Sequence, residues 1–236
     1  MDAMKNSELA WAVLVEPKRA FAALREQPKF WFPLIAVGLA YTAFFLWYYS
    51  AVDIAWLGDH IVGSDPRMKD VSAANRATAA GMLSKSFLLW GSLLTVVVAT
   101  PVLRLIEAAW FFLAGRAVNT PFSFKHWMAL ACWTAWPYLL LVLVMAVPML
   151  AHPNGQVAQE SLNLLSLNEL VFHTPLGHPW NTLLATLTLL HPWVWWLTVL
   201  GTRLWTGRSW LFCTVFALLP VVALYGVWAL ISLFSA

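Results

Sequence analysis

Two long apolar stretches joined by a short basic turn constrain this chain more than any other feature. Ser86 to Gly115 reads SFLLWGSLLTVVVATPVLRLIEAAWFFLAG, Met128 to Ala151 reads MALACWTAWPYLLLVLVMAVPMLA, and RAVNTPFSFKHW lies between them. A helix needs roughly 20 apolar residues to cross roughly 30 Å of hydrocarbon, and each stretch exceeds that length. The pair reads as a membrane hairpin. With 61% hydrophobic and 11% charged residues, against roughly 45–50% and about 25% in soluble domains, a soluble fold is excluded. No polar stretch is long enough to bury a core of its own, so one membrane domain is expected.

The rest of the chain repeats this grammar. Phe30 to Val52 is free of charge and ends in Trp47, Tyr48 and Tyr49, an aromatic belt for the headgroup zone. Asn181 to Leu204 and Trp210 to Phe234 supply two further apolar runs. The fold class is therefore all-α, a polytopic membrane helical bundle with five transmembrane helices at about 30–52, 86–113, 126–150, 181–204 and 210–234. Ahead of them, residues 1–29 form an N-terminal amphipathic segment, with Leu9, Val13, Phe21 and Leu24 at near-helical intervals among Lys18, Arg19 and Arg25. Two readings stand open for it: a helix on the membrane surface with basic side chains toward headgroups, or one packed under the bundle. Between Asp53 and Lys85 the chain is polar, and its alanine-rich part, 71–85, predicts a short helix leading into the second span.

Candidate functional residues are few. Arg104 and Glu107 are a charged pair inside an apolar run, spaced to meet on one helix face just after Pro101. Counting about 20 residues from Ser86 places them near the membrane boundary, where such a pair is ordinary; in hydrocarbon it would mark a functional site. His191 is a further ionisable group in an apolar run, read near the middle of its span as a neutral imidazole hydrogen-bonded across the bundle in preference to a proton relay. Arg116 and Lys125 in one turn, and Arg203 and Arg208 in another, are candidate contacts on the cytoplasmic side. Asp59, Asp65 and Asp70 lack the spacing of a calcium loop, and His152, His173 and His178 lack a zinc motif. Cys132 and Cys213 sit in apolar runs as core thiols. No metal site, catalytic residue or cofactor is expected, and no P-loop, GxSxG or HExxH pattern occurs, so the chain reads as no enzyme.

Charge sets the orientation. An N-terminus in the cytoplasm puts ten of the fourteen lysines and arginines on that side and leaves Arg67, Lys69, Arg76 and Lys85 on the other, as the positive-inside rule requires. The formal charge of +3 is scattered among the spans and forms no nucleic-acid patch. The two cytoplasmic turns also echo each other: Gly115 precedes Ser123-Phe124, and Gly201 precedes Ser209-Trp210, by the same interval.

Three segments resemble the Yip family (Ypt/Rab-interacting-protein domain), in its bacterial form. EPKRAFAALREQPKFWFPL at Glu16 to Leu34 is similar to the family's entry segment. LAGRAVNTPFSFKHWMALACWTAWPYLL is similar to its glycine, serine-phenylalanine, basic residue, alanine-rich span and proline sequence. WWLTVLGTRLWTGRSW is similar to its penultimate span and last basic turn. The resemblance implies a five-span protein with no catalytic residues. Eukaryotic relatives associate with Rab GTPases and with one another, and some bacterial relatives accompany ABC exporters. The expectation is a non-enzymatic accessory or assembly protein of a bacterial inner membrane. Membrane lipid and a membrane-protein partner or a second copy would be its partners, and nucleic acid would not. The alternative is a small transporter or channel with a polar path at Arg104, Glu107 and His191.

Overall fold

Pro17 divides the N-terminal segment into two helices, α1 (Asn6–Val15) and α2 (Pro17–Glu26), and stands at the first position of α2, where its missing N–H costs nothing. The computed structural model describes residues 4–235. After α3 (Trp31–Ala51), side-chain caps start three helices: Asp53 for α4 (Ile54–Ser64), Ser72 for α5 (Ala73–Met82) and Ser84 for α6 (Lys85–Leu94). The alanine-rich helix expected within 71–85 is α5. A π turn at Thr95–Ala99 then leads into α7 (Thr100–Ala117). Pro101 has no amide to bond back to Val97, and the wider turn accommodates its ring. Pro137 likewise sits in a 3₁₀ turn, Trp136–Tyr138, between α8 (Phe124–Thr134) and α9 (Leu139–Ala151). The chain ends with α10 (Asn181–Thr186), α11 (Leu190–Thr206) and α12 (Trp210–Phe234).

Four helical runs among the described residues are long and apolar enough to cross a membrane: Trp31–Ala51, Lys85–Ala117, Phe124–Ala151 and Trp210–Phe234. They coincide with four of the five expected spans. The stretch 181–204 differs, because it is not one helix. α10 is a single short helix, and Leu187 and Leu189 then pair with Leu167 and Leu165 through backbone hydrogen bonds of 2.7 and 3.0 Å. Pro192 has no amide to return to Thr188, so the helix starts afresh at Leu190. The 17 residues of α11 reach about 25 Å, at the lower limit of what crosses a bilayer.

The chain divides into two compact units: Met1–Leu39, Val98–Leu139 and Leu190–Gly226 form the first, and Ala40–Val97, Leu140–Leu189 and Val227–Ala236 the second. The core of the first is aromatic, with Phe21, Phe111, Trp127 and Trp133 wholly buried and Trp205 nearly so. α2 packs against α8 and α11, and α1 against α8. Leu9, Val13, Phe21 and Leu24, the apolar stripe of the N-terminal segment, are all buried there. Of the two readings of that segment, the packed one holds. Two indoles fix it: Trp205 Nε1 donates to the Phe21 carbonyl (2.8 Å) and Trp133 Nε1 to the Lys29 carbonyl (2.6 Å).

Close approach at this junction depends on Gly201. A Cβ there would fall on Leu130 Cδ1 and touch the Phe21 ring, and Leu130 is itself fully buried. Gly201→Ala is expected to destabilise the protein by about 1–3 kcal/mol through overpacking. Gly226→Ala, with nothing within 4 Å of the new methyl, leaves stability unchanged or slightly raised. Thermal melting of the two purified variants in the same detergent checks the contrast.

In the second unit, Tyr48 donates to the Val157 carbonyl (2.8 Å) and the Asp53 amide to the Gly155 carbonyl (2.9 Å). His60 Nε2 and Glu160 Oε1 lie 2.6 Å apart, with the Trp56 ring stacked on the imidazole. A cleft of about 680 Å³ is lined by Phe45, Tyr49, Leu88, Trp90, Ser92 and Gln159.

Candidate functional site

α7 carries Arg104 and Glu107 one turn apart, so their side chains meet along the helix. Arg104 Nη1 donates to Glu107 Oε2 at 2.6 Å, and the two side chains keep only 21% and 20% of their surface exposed. The same Nη1 reaches the Ala131 carbonyl of α8 at 3.5 Å. Arg104 Nε is buried without a hydrogen-bond partner, a defect that costs on the order of 1–3 kcal/mol. The ion pair thus sits on α7 beside α8.

His191 approaches from α11. Its Nε2 lies 3.0 Å from Tyr225 Oη on α12, and its ring meets the Tyr138 and Trp195 rings at centroid distances of 5.4 Å each. Tyr138, Tyr225 and Cys132 are all close enough to act electrostatically on the Arg104 guanidinium. His191, Tyr138, Trp195 and Tyr225 thus form one polar and aromatic group, and the Arg104–Glu107 pair lies within electrostatic range of its two tyrosines. Arg104 lies thirteen residues before the end of α7, His191 fifteen before the end of α11, and Tyr225 fifteen after the start of α12, each about 20–22 Å along its helix. The helix begun at Lys85 continues to Ala117, and α11 begins at Leu190, which puts His191 in its first turn.

The basic turns form the other end of these helices. Arg203 Nη1 donates to the Arg208 carbonyl (2.6 Å), and Arg208 Nη2 donates to the Val118 carbonyl (3.1 Å), which ties the turn after α11 to the turn after α7. Arg116 stacks over Phe112 at 5.7 Å, Arg203 over Trp210 at 4.6 Å and Arg208 over Phe212 at 5.4 Å. Lys125 is exposed on α8. The echo between the turns has a physical basis: Gly115 and Gly201 are both buried close-approach positions, and Ser123 and Ser209 both stand just before a helix.

Residues 11–231 match the Yip1 domain. The chain belongs to the Yip1 family. No curated protein and no solved structure matches it at a comparable level of significance. With four helices long and apolar enough to span a bilayer, this Yip1 domain is an integral membrane protein. The match opens inside α1, so the buried stripe of α2 and both basic turns lie within the domain.

The three loop histidines of the Yip1 domain make separate local contacts. His152 Nδ1 lies 3.0 Å from the Pro148 carbonyl, His178 Nδ1 accepts from the Trp180 amide at 3.3 Å, and His173 adopts a left-handed backbone with φ of 51°. Asp65 engages Arg67 through both carboxylate oxygens, and those hydrogen bonds hold its carboxyl below the ordinary range. Among the described residues no three His, Cys, Asp or Glu side chains gather as a metal site. Sequence reasoning missed Tyr138 and Tyr225, although a tyrosine in an apolar run needs a partner for its hydroxyl. It also missed His60 with Glu160, which no local spacing signals.

Proposed function

We propose that this Yip1-family protein is a non-enzymatic accessory or assembly protein of a bacterial inner membrane, crossing it five times with the N-terminus in the cytoplasm. It works through contacts between its apolar helix faces and a partner membrane protein or a second copy. One observation carries this reading. Arg104 pairs with Glu107 and His191 with Tyr225, while Val102, Ile106 and Leu113 on α7, and Leu211, Val222 and Leu224 on α12, point outward uncovered. Such faces meet lipid or another helix. The resemblance to bacterial Yip proteins makes an ABC-type exporter the partner to look for. A photo-crosslinker placed at Ile106 or Val222 in native membranes, followed by mass spectrometry, is expected to trap one membrane protein, or a second copy, in stoichiometric yield. A lone monomer from both positions, with a matching native mass in mild detergent, would sink the proposal.

A second reading, a small transporter, draws on Arg104, Glu107, His191 and Tyr225, polar side chains carried by these apolar helices. The double variant Arg104→Ala with Glu107→Ala separates the two. Lowered folded yield is expected for a structural pair, whereas normal yield with abolished proton flux into dye-loaded liposomes favours transport.

A further inference from the structure

We propose that the end of the first unit built from the α7–α8 and α11–α12 turns binds the phosphate headgroup of an anionic phospholipid. The inference goes beyond the accessory reading and rests only on Ala117 and Trp210 being the ends of membrane-spanning helices.

The first observation is an excess of charge with nothing to balance it. Arg25, Arg116, Lys125, Arg203 and Arg208 converge on these turns, and residues 108–159 and 170–236 contain no aspartate or glutamate. Among the described residues none of the five makes an ion pair. The neighbouring acids of the N-terminal helices are Glu8, which accepts from the Lys5 amide, Glu16, which pairs with Arg19, and exposed Glu26. Arg25 instead donates to the Leu204 carbonyl at 3.4 Å.

The second is preorganisation. Four guanidiniums lie over aromatic rings here: Arg25 over Phe122, Arg116 over Phe112, Arg203 over Trp210 and Arg208 over Phe212. A ring beneath the cationic carbon holds each guanidinium in place, and the N–H donors not used by backbone carbonyls are left for a tetrahedral oxyanion. Carbonyls of Arg208 and Val118 fix two of the forks further, so little side-chain freedom is lost on binding.

The third is the border on which they stand. Leu113, 66% exposed, lies one turn before Arg116, and Leu211, 75% exposed, follows Arg208 closely on α12. Apolar surface therefore gives way to arginine within a single helical turn, the order in which a bilayer passes from acyl chains to phosphates. Half-exposed Trp210 sits at the change, where amphipathic rings concentrate. A lipid fits both sides of that border, whereas an acidic protein segment fits only one.

The test uses the full-length protein in micelles holding phosphatidylglycerol and phosphatidylcholine of identical chains in equal amounts, with retained lipids counted by native mass spectrometry. The wild type is expected to retain phosphatidylglycerol preferentially. Arg116→Gln with Arg208→Gln should lower that preference on the order of tenfold in protein that still folds. The corresponding lysine variants should recover only part of it, because lysine keeps the charge without the fork. Arg67→Gln should change nothing. Arg116→Gln and Lys125→Gln, both at exposed positions, keep the proposal testable if the double variant fails to fold. Equal retention of the two lipids by the wild type, or an unchanged preference in the folded variants, would overturn it. So would displacement of the lipid by millimolar inorganic phosphate, which would assign a small-anion site, or by a polyglutamate peptide, which would assign an acidic protein partner.

Discussion

Glu107→Ala is expected to cost this protein roughly 3–5 kcal/mol, because it strands the Arg104 guanidinium with its Nε already unmet and only a long contact to the Ala131 carbonyl. Replacing both residues by leucine should recover most of that loss, since an apolar pair of similar bulk removes the charge together with its partner. The two changes are far from additive, as expected for groups in direct contact. Reversible unfolding in mixed micelles, followed by tryptophan fluorescence, measures both. If the single and double variants lose equal stability, the pair is not what keeps Arg104 tolerable in this position.

Trp205→Ala is the second large effect, at roughly 3–5 kcal/mol. The ring lies 5.5 Å from Phe122 and 5.7 Å from Trp127, and its N–H holds the Phe21 carbonyl. Truncation opens a cavity in the aromatic core and frees α2 at once. Trp205→Phe keeps most of the ring and gives up the hydrogen bond, so about 1–2 kcal/mol is expected. Limited trypsin digestion gives an independent readout, because Arg25 becomes a cleavage site when α2 detaches. Resistance at Arg25 in Trp205→Ala would show that α2 is held by other contacts.

How far the sequence led can be seen residue by residue. Long apolar runs and aromatic belts located four spanning helices almost to their ends, since burying twenty apolar residues leaves little choice of structure. Pro101 and Pro137 stand at real irregularities, a π turn and a 3₁₀ turn, because each lacks an amide. Pro192 carried the same signal, yet its effect on 181–204 depended on a backbone pairing with Leu165 and Leu167 that no local pattern announces. The N-terminal stripe was legible as a stripe but not as a core face, because lipid and protein select the same spacing. Its partners lie more than a hundred residues away. In the candidate cluster, the Arg104 and Glu107 spacing was enough to pair them. Bringing His191 beside them required knowing where three separate helices begin and end. The stacks of Arg116 on Phe112 and of Arg208 on Phe212, each four residues apart, were readable in principle. That of Arg203 on Trp210, across a turn, was not.

The burial of α2 also has a consequence for how the molecule is made. Phe21 leaves the ribosome 184 residues before Trp205. At about 5–20 residues per second the interval is roughly 10–40 s. Throughout it Phe21 and Leu24 on α2 lack the part of their covering surface that α11 supplies. A chain halted before Trp205 keeps that part of the greasy stripe on display, and membrane quality control therefore has a direct mark by which to tell an unfinished copy from a finished one.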